Sequence, residues 1–391
     1  MGETVTAIHA PLSLYIHLPW CLHKCAYCDF NSHATQADSF PEQAYLDALV
    51  TDLTRSSHAI KQRGVQSIFI GGGTPSLFSP SSIEALLDAC HKLIRLNTNC
   101  EITLETNPGT FEYQKFSEFL AAGINRLSIG VQSLNNHYLK TLERIHSKEE
   151  AICAIETAHT LGFKNINADL MFGLPGQSVK DAHNDIQALC ELPLTHISYY
   201  QLTLEPNTVF YRFPPSLPSD DTVFTIQNNG IDTLAKHGFI RYEVSAYARK
   251  HKQCMHNTNY WRFGDYLGIG AGAHSKLTST QEIIRHQRVR QPDSYIQAVS
   301  ANTHIINEHK LDKDTLIFEF MLNNLRLTQG FTPEAFTEST ELDWSLVAPR
   351  IRAYIDEGLM EMVEHHYRAS AHGYQFLDEL TQRFLPDQTC S

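Results

Sequence analysis

Cys21, Cys25 and Cys28 stand in a C-x3-C-x2-C pattern, Cys21-Leu-His-Lys-Cys25-Ala-Tyr27-Cys28, whereas Cys90, Cys100, Cys153, Cys190, Cys254 and Cys390 are scattered singly. Three thiolates at this spacing can hold three irons of a [4Fe–4S] cluster and leave the fourth iron without a protein donor, open to a small molecule. S-adenosylmethionine (SAM) can chelate such an iron through its amino and carboxylate groups, which sets its sulfonium where one electron from the cluster breaks a C–S bond. The alternative is zinc, with His17, His23 or His33 as a fourth ligand, because zinc prefers four-coordinate Cys/His sets. An odd total of nine cysteines in a chain of 391 residues does not read as a disulfide framework.

Further along the chain, Gly71-Gly72-Gly73-Thr74-Pro75 offers a backbone with no side chains in the way, so a ligand can approach its hydrogen-bonding groups. Glu105, Gln132 and Asp169 fall at or just after the ends of successive apolar strand-like runs. A carboxylate there can take a ligand ammonium or ribose hydroxyls, an amide a ribose, and Arg144 a ligand carboxylate. Each of them singly also reads as a satisfied strand-end residue or a surface ion pair.

Hydrophobic periodicity supplies the elements that must position these groups. Leu12 to Leu18, Gln66 to Ile70, Glu101 to Glu105, Leu127 to Val131, Asn165 to Leu170 and His196 to Leu202 read as strands, separated by amphipathic helical stretches from about Phe40 to Cys190. Such alternation implies parallel βαβ units, and six of them without a dinucleotide fingerprint predict a partial (β/α)6 TIM-like barrel, with its chemistry at the carboxyl ends of the strands. Glu205 to Asp220 is proline-rich and reads as a loop, Asp221 to His237 as a helix and Arg241 to Ser245 as a strand. His251 to Ser275 reads as irregular. The division predicted is a barrel over 1–240, an accessory segment over 241–304 and a mostly helical, winged-helix-like domain over 305–391, with Met360 to Glu364 and Tyr374 to Leu377 as the two strands of the wing.

With 31 Lys and Arg against 43 Asp and Glu, the formal net charge is −12, and no basic cluster supplies a phosphate-binding surface. From Glu308 onward there are 15 acidic and 7 basic residues, so the winged-helix-like region is expected to serve structure or a protein partner rather than nucleic acid. No stretch has the length and apolarity of a membrane span, and the first 20 residues lack the pattern of a signal peptide, so a cytoplasmic setting is expected.

Cys21 to Cys28, the Gly-Gly-Gly-Thr-Pro run, Glu105-Thr-Asn-Pro-Gly109, Gly130-Val-Gln-Ser133 and Asp169-Leu-Met-Phe-Gly-Leu-Pro-Gly176 together resemble the radical SAM superfamily. More narrowly they resemble the oxygen-independent coproporphyrinogen III oxidase-like family, over nearly the whole chain. The resemblance implies a radical SAM barrel, cluster ligation by Cys21, Cys25 and Cys28, and SAM contacts from Tyr15, Tyr27, Gly72, Gly73, Thr74, Glu105, Gln132, Arg144 and Asp169.

Within that family the true oxidases carry a further cysteine two residues after the cluster motif and a longer N-terminal arm. This chain has Phe30 at that position and 20 residues before Cys21. His256-Asn-Thr-Asn-Tyr260-Trp261 instead resembles the His-Asn-x-x-Tyr-Trp motif of the family's haem-chaperone branch. Histidine can serve as an axial ligand, and Tyr and Trp offer flat faces to a macrocycle and a polar tip to a propionate. The resemblance thus implies haem as cargo, bound by His256, Tyr260 and Trp261, with acceptor haemoproteins, some at a membrane surface, as recipients and a homodimer as a further expectation. Cys254 is an alternative thiolate ligand, and His274, Arg285 and His286 are candidates to line the same pocket. The enzymatic alternative is oxidative decarboxylation of coproporphyrinogen III.

Overall fold

The computed structural model describes residues 10–36, 39–109, 113–280 and 282–386. Their main feature is one sheet of twelve strands. The six expected strands are present as β1 (Leu12–Leu18), β4 (Gly64–Gly72), β5 (Arg95–Thr106), β6 (Arg126–Gln132), β7 (Asn165–Phe172) and β8 (His196–Gln201). They lie side by side in that order, each parallel to the next. The short β2 (Trp20–Cys21) and β3 (His33–Ala34) form a separate parallel pair.

The helices between the strands begin and end where their local chemistry dictates. Ser147 and Glu150, and again Ser178 and Asp181, form reciprocal capping boxes that open the helices Lys148–Leu161 and Val179–Cys190. Gly162, in the left-handed region at φ 101°, closes the first of these. Their apolar faces pack on the sheet, giving a continuous core that runs from Leu12 and Leu14 through Ile68, Leu104, Ile129 and Ala168 to Ile197. Tyr45 is fully buried in it, donating to the His17 carbonyl at 2.9 Å and accepting the Ala271 amide at 2.8 Å. One side chain of the first helix therefore joins β1 to the turn beyond Gly270.

The sheet does not stop at six strands. The stretch read as irregular, His251 to Ser275, contains the helix Met255–Trp261, the strand β11 (Asp265–Ile269) and the start of β12 (His274–Thr278). β11 runs parallel to β1 on its free edge, so seven strands are parallel, and β12, β13 (Ile283–Arg288) and β14 (Ile305–Lys310) extend that edge antiparallel. At the other edge β10 (Ala246–Ala248) and β9 (Ile240–Glu243) follow β8 antiparallel. The signal for β11 was masked because Asp265-Tyr-Leu-Gly-Ile is buried on both faces and short, and so has no alternation to detect.

Beyond β14 the chain is mostly helical around a second core that includes Phe320, Phe331, Phe336, Val347 and Ile351. Its hairpin corrects the expected wing. β15 (Met360–Val363) pairs with β16 (His366–Ala369), and Tyr374 to Leu377 lies across two short helices. Glu364 and His365, at φ 49° and 68°, make the tight two-residue turn that this pairing requires. Among the described residues no helix is long and apolar enough to cross a membrane.

Candidate functional site

β2 carries Cys21, and the following loop carries Cys25 and Cys28, where the Cys28 amide donates to the Cys25 carbonyl at 3.1 Å. The three thiols line a cavity of about 330 Å³ at the carboxyl ends of the parallel strands, together with Tyr27, Gly72, Gly73, Thr74, Glu105, Gln132, Arg144 and Asp169. Tyr15 lies apart from them, on the wall of a neighbouring cavity.

The backbone of this first cavity is shaped for close approach. Gly72 has φ 122°, and a Cβ there would stand 2.6 Å from the His17 ring. Its amide donates to Glu105 Oε2 at 3.0 Å. Gln132 holds φ 67°, a conformation costly for a side-chain-bearing residue, and its Oε1 accepts the Tyr200 hydroxyl at 2.7 Å.

Arg144 is held by Asn107 Oδ1 at 2.5 Å and the Gly130 carbonyl at 2.8 Å, with Nη1 3.6 Å from Cys25 Sγ. Its Nε is buried without a partner among the described residues. Burial pushes the Glu105 carboxyl up to about 7, opposed by the Gly72 amide and reinforced by the like charge of Asp169. Asp169 is raised by burial as well, and its Oδ1 accepts from Asn167 Nδ2 at 2.8 Å.

Three thiols lining one cavity are the donor set that a cluster with one open corner would need. His17 uses both ring nitrogens, Nε2 donating to the Asn31 carbonyl at 2.8 Å and Nδ1 accepting the Tyr15 hydroxyl at 3.0 Å. His23 pairs with Glu143 at 3.4 Å and His33 with Asn31 Oδ1 at 3.3 Å. His17 thus has no ring nitrogen to spare for zinc, and His23 and His33 each commit Nε2 elsewhere. The orphaned Arg144 Nε and the uncluttered Gly72 meet instead what an anionic ligand beside three thiolates needs.

A second cavity, of about 660 Å³, shares Phe30, Gly72 and Glu105 with the first. Its walls include Tyr15, His256, Tyr260, Tyr266, His274, Arg285 and Arg290. The His256 ring packs 5.0 Å from Phe69 and 6.2 Å from Tyr15, centroid to centroid. Burial, and then the Arg126 guanidinium, push its pKa down to about 3, so the imidazole is neutral at ordinary pH. Arg285 is already paired, with Glu319 at 2.7 Å and the Tyr266 hydroxyl at 2.8 Å. Arg290 is exposed, and no side-chain hydrogen bond or ion pair engages it among the described residues.

Three residues singled out from sequence for the haem site fall outside both linings. Trp261 turns toward the C-terminal region, with the Arg326 guanidinium 4.2 Å from its ring centroid, because neighbours on a helix point about 100° apart. His286 takes Glu308 at 3.3 Å, on the opposite sheet face from Arg285 and Gln287. Cys254 is fully buried, 3.5 Å from Glu101 Oε1, and its thiol is pushed up to about 12 by burial. Conversely, Arg126, Asn107, Asn167 and Tyr200 line the first cavity without having been singled out. Asn107 sits inside a motif already noted, whereas Arg126, the first residue of β6, and Asn167, near the start of β7, carry no local signal.

The sequence matches the family model described as the radical SAM superfamily over residues 15–189 and that of the HemN C-terminal domain over residues 311–376. The chain is similar to the protein named heme chaperone HemW of Haemophilus influenzae, at 45% identity over 383 residues, 97% of this chain and 99% of that one. A protein of the same name from Escherichia coli is 42% identical over 378 residues, 96% of this chain and 99% of that one. The fold is similar to the solved structure of the Escherichia coli coproporphyrinogen III oxidase HemN, a radical SAM enzyme, with a TM-score of 0.82 at 23% identity over 97% of this chain and 91% of that one.

Proposed function

This chain belongs to the HemW family of the radical SAM superfamily, and we propose that it binds haem and hands it to acceptor haemoproteins, with a SAM-bound [4Fe–4S] cluster beside the haem site. The observation that carries this reading is the pair of cavities meeting at Phe30, Gly72 and Glu105. Cys21, Cys25 and Cys28 would hold the cluster in the first cavity. When bound, the cluster supplies one electron to SAM at the iron that no thiolate occupies.

The protein's own residues do the rest. Arg144, with its free Nε, faces a ligand carboxylate, while Glu105 and Asp169 offer acceptors to an ammonium or ribose hydroxyls. In the second cavity, His256 presents a neutral imidazole as an axial ligand, Tyr260 and Tyr266 present flat faces, and Arg290 presents a charge to a propionate. A cavity of about 660 Å³ suits a ligand of that size. Phe30, 64% exposed, stands on the wall common to both cavities and brings no thiol to it, which favours carriage of a tetrapyrrole over its oxidative decarboxylation. Thiolate ligation and the absence of any joined pair among the described cysteines suit a reducing compartment such as the cytoplasm.

The test is an oxygen-free reconstitution followed by haem titration of the wild type, Cys25→Ala and His256→Ala, with transfer to an apo-haemoprotein as the last step. Cys25→Ala should lose the iron–sulfur absorbance and keep the haem band. His256→Ala should weaken or reshape that band. An unchanged haem spectrum in His256→Ala would refute the ligand assignment. Formation of protoporphyrinogen IX from coproporphyrinogen III, SAM and reductant would replace the carrier by an oxidase.

A further inference from the structure

The helix Met255–Trp261 contributes to both cavities: Asn257 lines the first, and His256 and Tyr260 line the second. Seven residues are too few for a helix to hold its place unaided. Its first turn is anchored twice. Glu101 Oε1 accepts the Met255 amide at 2.8 Å, and the Tyr242 hydroxyl accepts the Cys254 amide at 3.3 Å.

Both anchors lead back to the first cavity. Glu101 is paired with Arg126, Nε to Oε2 at 3.9 Å, and Arg126 lines that cavity. The Tyr242 route is longer and is buried from Asn167 onward. Asp169 Oδ1 accepts from Asn167 Nδ2 at 2.8 Å, which turns Asn167 Oδ1 toward His196 Nδ1 at 2.6 Å, and His196 Nε2 meets the Tyr242 hydroxyl at 2.8 Å. One assignment satisfies every partner: Asn167 Oδ1 needs an Nδ1–H, so Nε2 accepts the Tyr242 proton, and the Tyr242 oxygen is left to accept from Cys254. Donor and acceptor follow one another without a break from the Asp169 carboxylate to the start of the helix, the arrangement in which hydrogen bonds reinforce each other.

Resting on the reading that SAM occupies the first cavity and haem the second, we infer that His196 and Tyr242 are positioning residues that couple the two sites. A SAM group held by Asp169, with Asn257 at the same cavity wall, fixes the helix and presents His256 and Tyr260 to haem. By reciprocity haem then raises SAM affinity by the same factor.

The test uses cluster-loaded protein without oxygen, titrated with haem in the absence and presence of saturating SAM, for the wild type and Tyr242→Phe, which removes only the hydroxyl. SAM should raise wild-type haem affinity by about 5-fold or more, and by less than about 2-fold in Tyr242→Phe, with both ligands still bound. Equal wild-type affinity with and without SAM, or full coupling retained in Tyr242→Phe, overturns the inference. A wild type that binds no haem overturns the underlying reading instead. Amide hydrogen exchange of Cys254–Trp261 in the wild type gives a measurement independent of the variant. Protection there should rise on adding SAM, and unchanged protection counts against the coupling.

Discussion

Glu105 offers a quantitative check on the first cavity. Its carboxyl is raised from 4.5 to about 7 by burial, partly offset by the Gly72 amide and increased by Asp169. In the unfolded chain the same carboxyl ionises near its ordinary value, so between the two values the folded state holds a proton that the unfolded state has released. The stability contributed by the protonated group is complete below about 4.5 and is lost as the pH rises through about 7. At about 1.36 kcal/mol per pH decade the full loss is about 3 kcal/mol, of which about 2.5 kcal/mol falls between about pH 5 and about pH 8.

Glu105→Gln keeps the shape and cannot ionise, so cluster-free protein carrying it should escape that loss. Scaling the unfolding entropy to this chain length, its melting temperature relative to wild type should be higher at about pH 8 than at about pH 5 by about 3 °C. Differential scanning fluorimetry across that range reads the quantity directly, and contributions common to both proteins cancel. Parallel melting curves for the two proteins over the whole range would refute the assignment of Glu105 as a carboxyl raised to about 7 by its surroundings.

Three further predictions address the other groups. Gly72→Ala places a methyl 2.6 Å from the His17 ring at φ 122°, so it should cost about 1–3 kcal/mol and weaken SAM binding while leaving the thiolate-bound iron content intact. Equilibrium dialysis with labelled SAM and iron analysis check the two halves. Because His256 is depressed to about 3, haem affinity should stay flat from about pH 8 to about pH 5, where a solvent-exposed histidine ligand would lose about 30-fold. A loss of that size in a spectrophotometric titration would move the ligand away from His256. Arg290→Glu should weaken haem binding by about 3- to 10-fold and leave haem dimethyl ester nearly unaffected, whereas equal effects on both would remove Arg290 as a propionate partner.

Local sequence determined what local physics controls. The Cys21–Cys28 spacing places three thiols in one loop, and the alternation from Leu12 to Leu202 produces the six parallel strands whose ends carry Gly72, Glu105, Gln132 and Asp169. Those residues converge because the side-chain period and the right-handed βαβ connection leave few other arrangements. Long-range pairing decided the rest. Asp265-Tyr-Leu-Gly-Ile becomes a strand because β1 has a free edge to receive it, and that pairing swings the helix Met255–Trp261 against the cavity floor. His256 then faces haem's proposed chamber while Trp261, one helix end away, packs under Arg326. The tight turn at Glu364 and His365, the wall that Phe30 shares between two chambers, and the chain of hydrogen bonds from Asp169 to Tyr242 likewise join residues distant in the chain or depend on backbone angles. No short window of sequence contains both ends of the long-range contacts among these, and none fixes the backbone angles of the turn, so only the folded molecule reveals them.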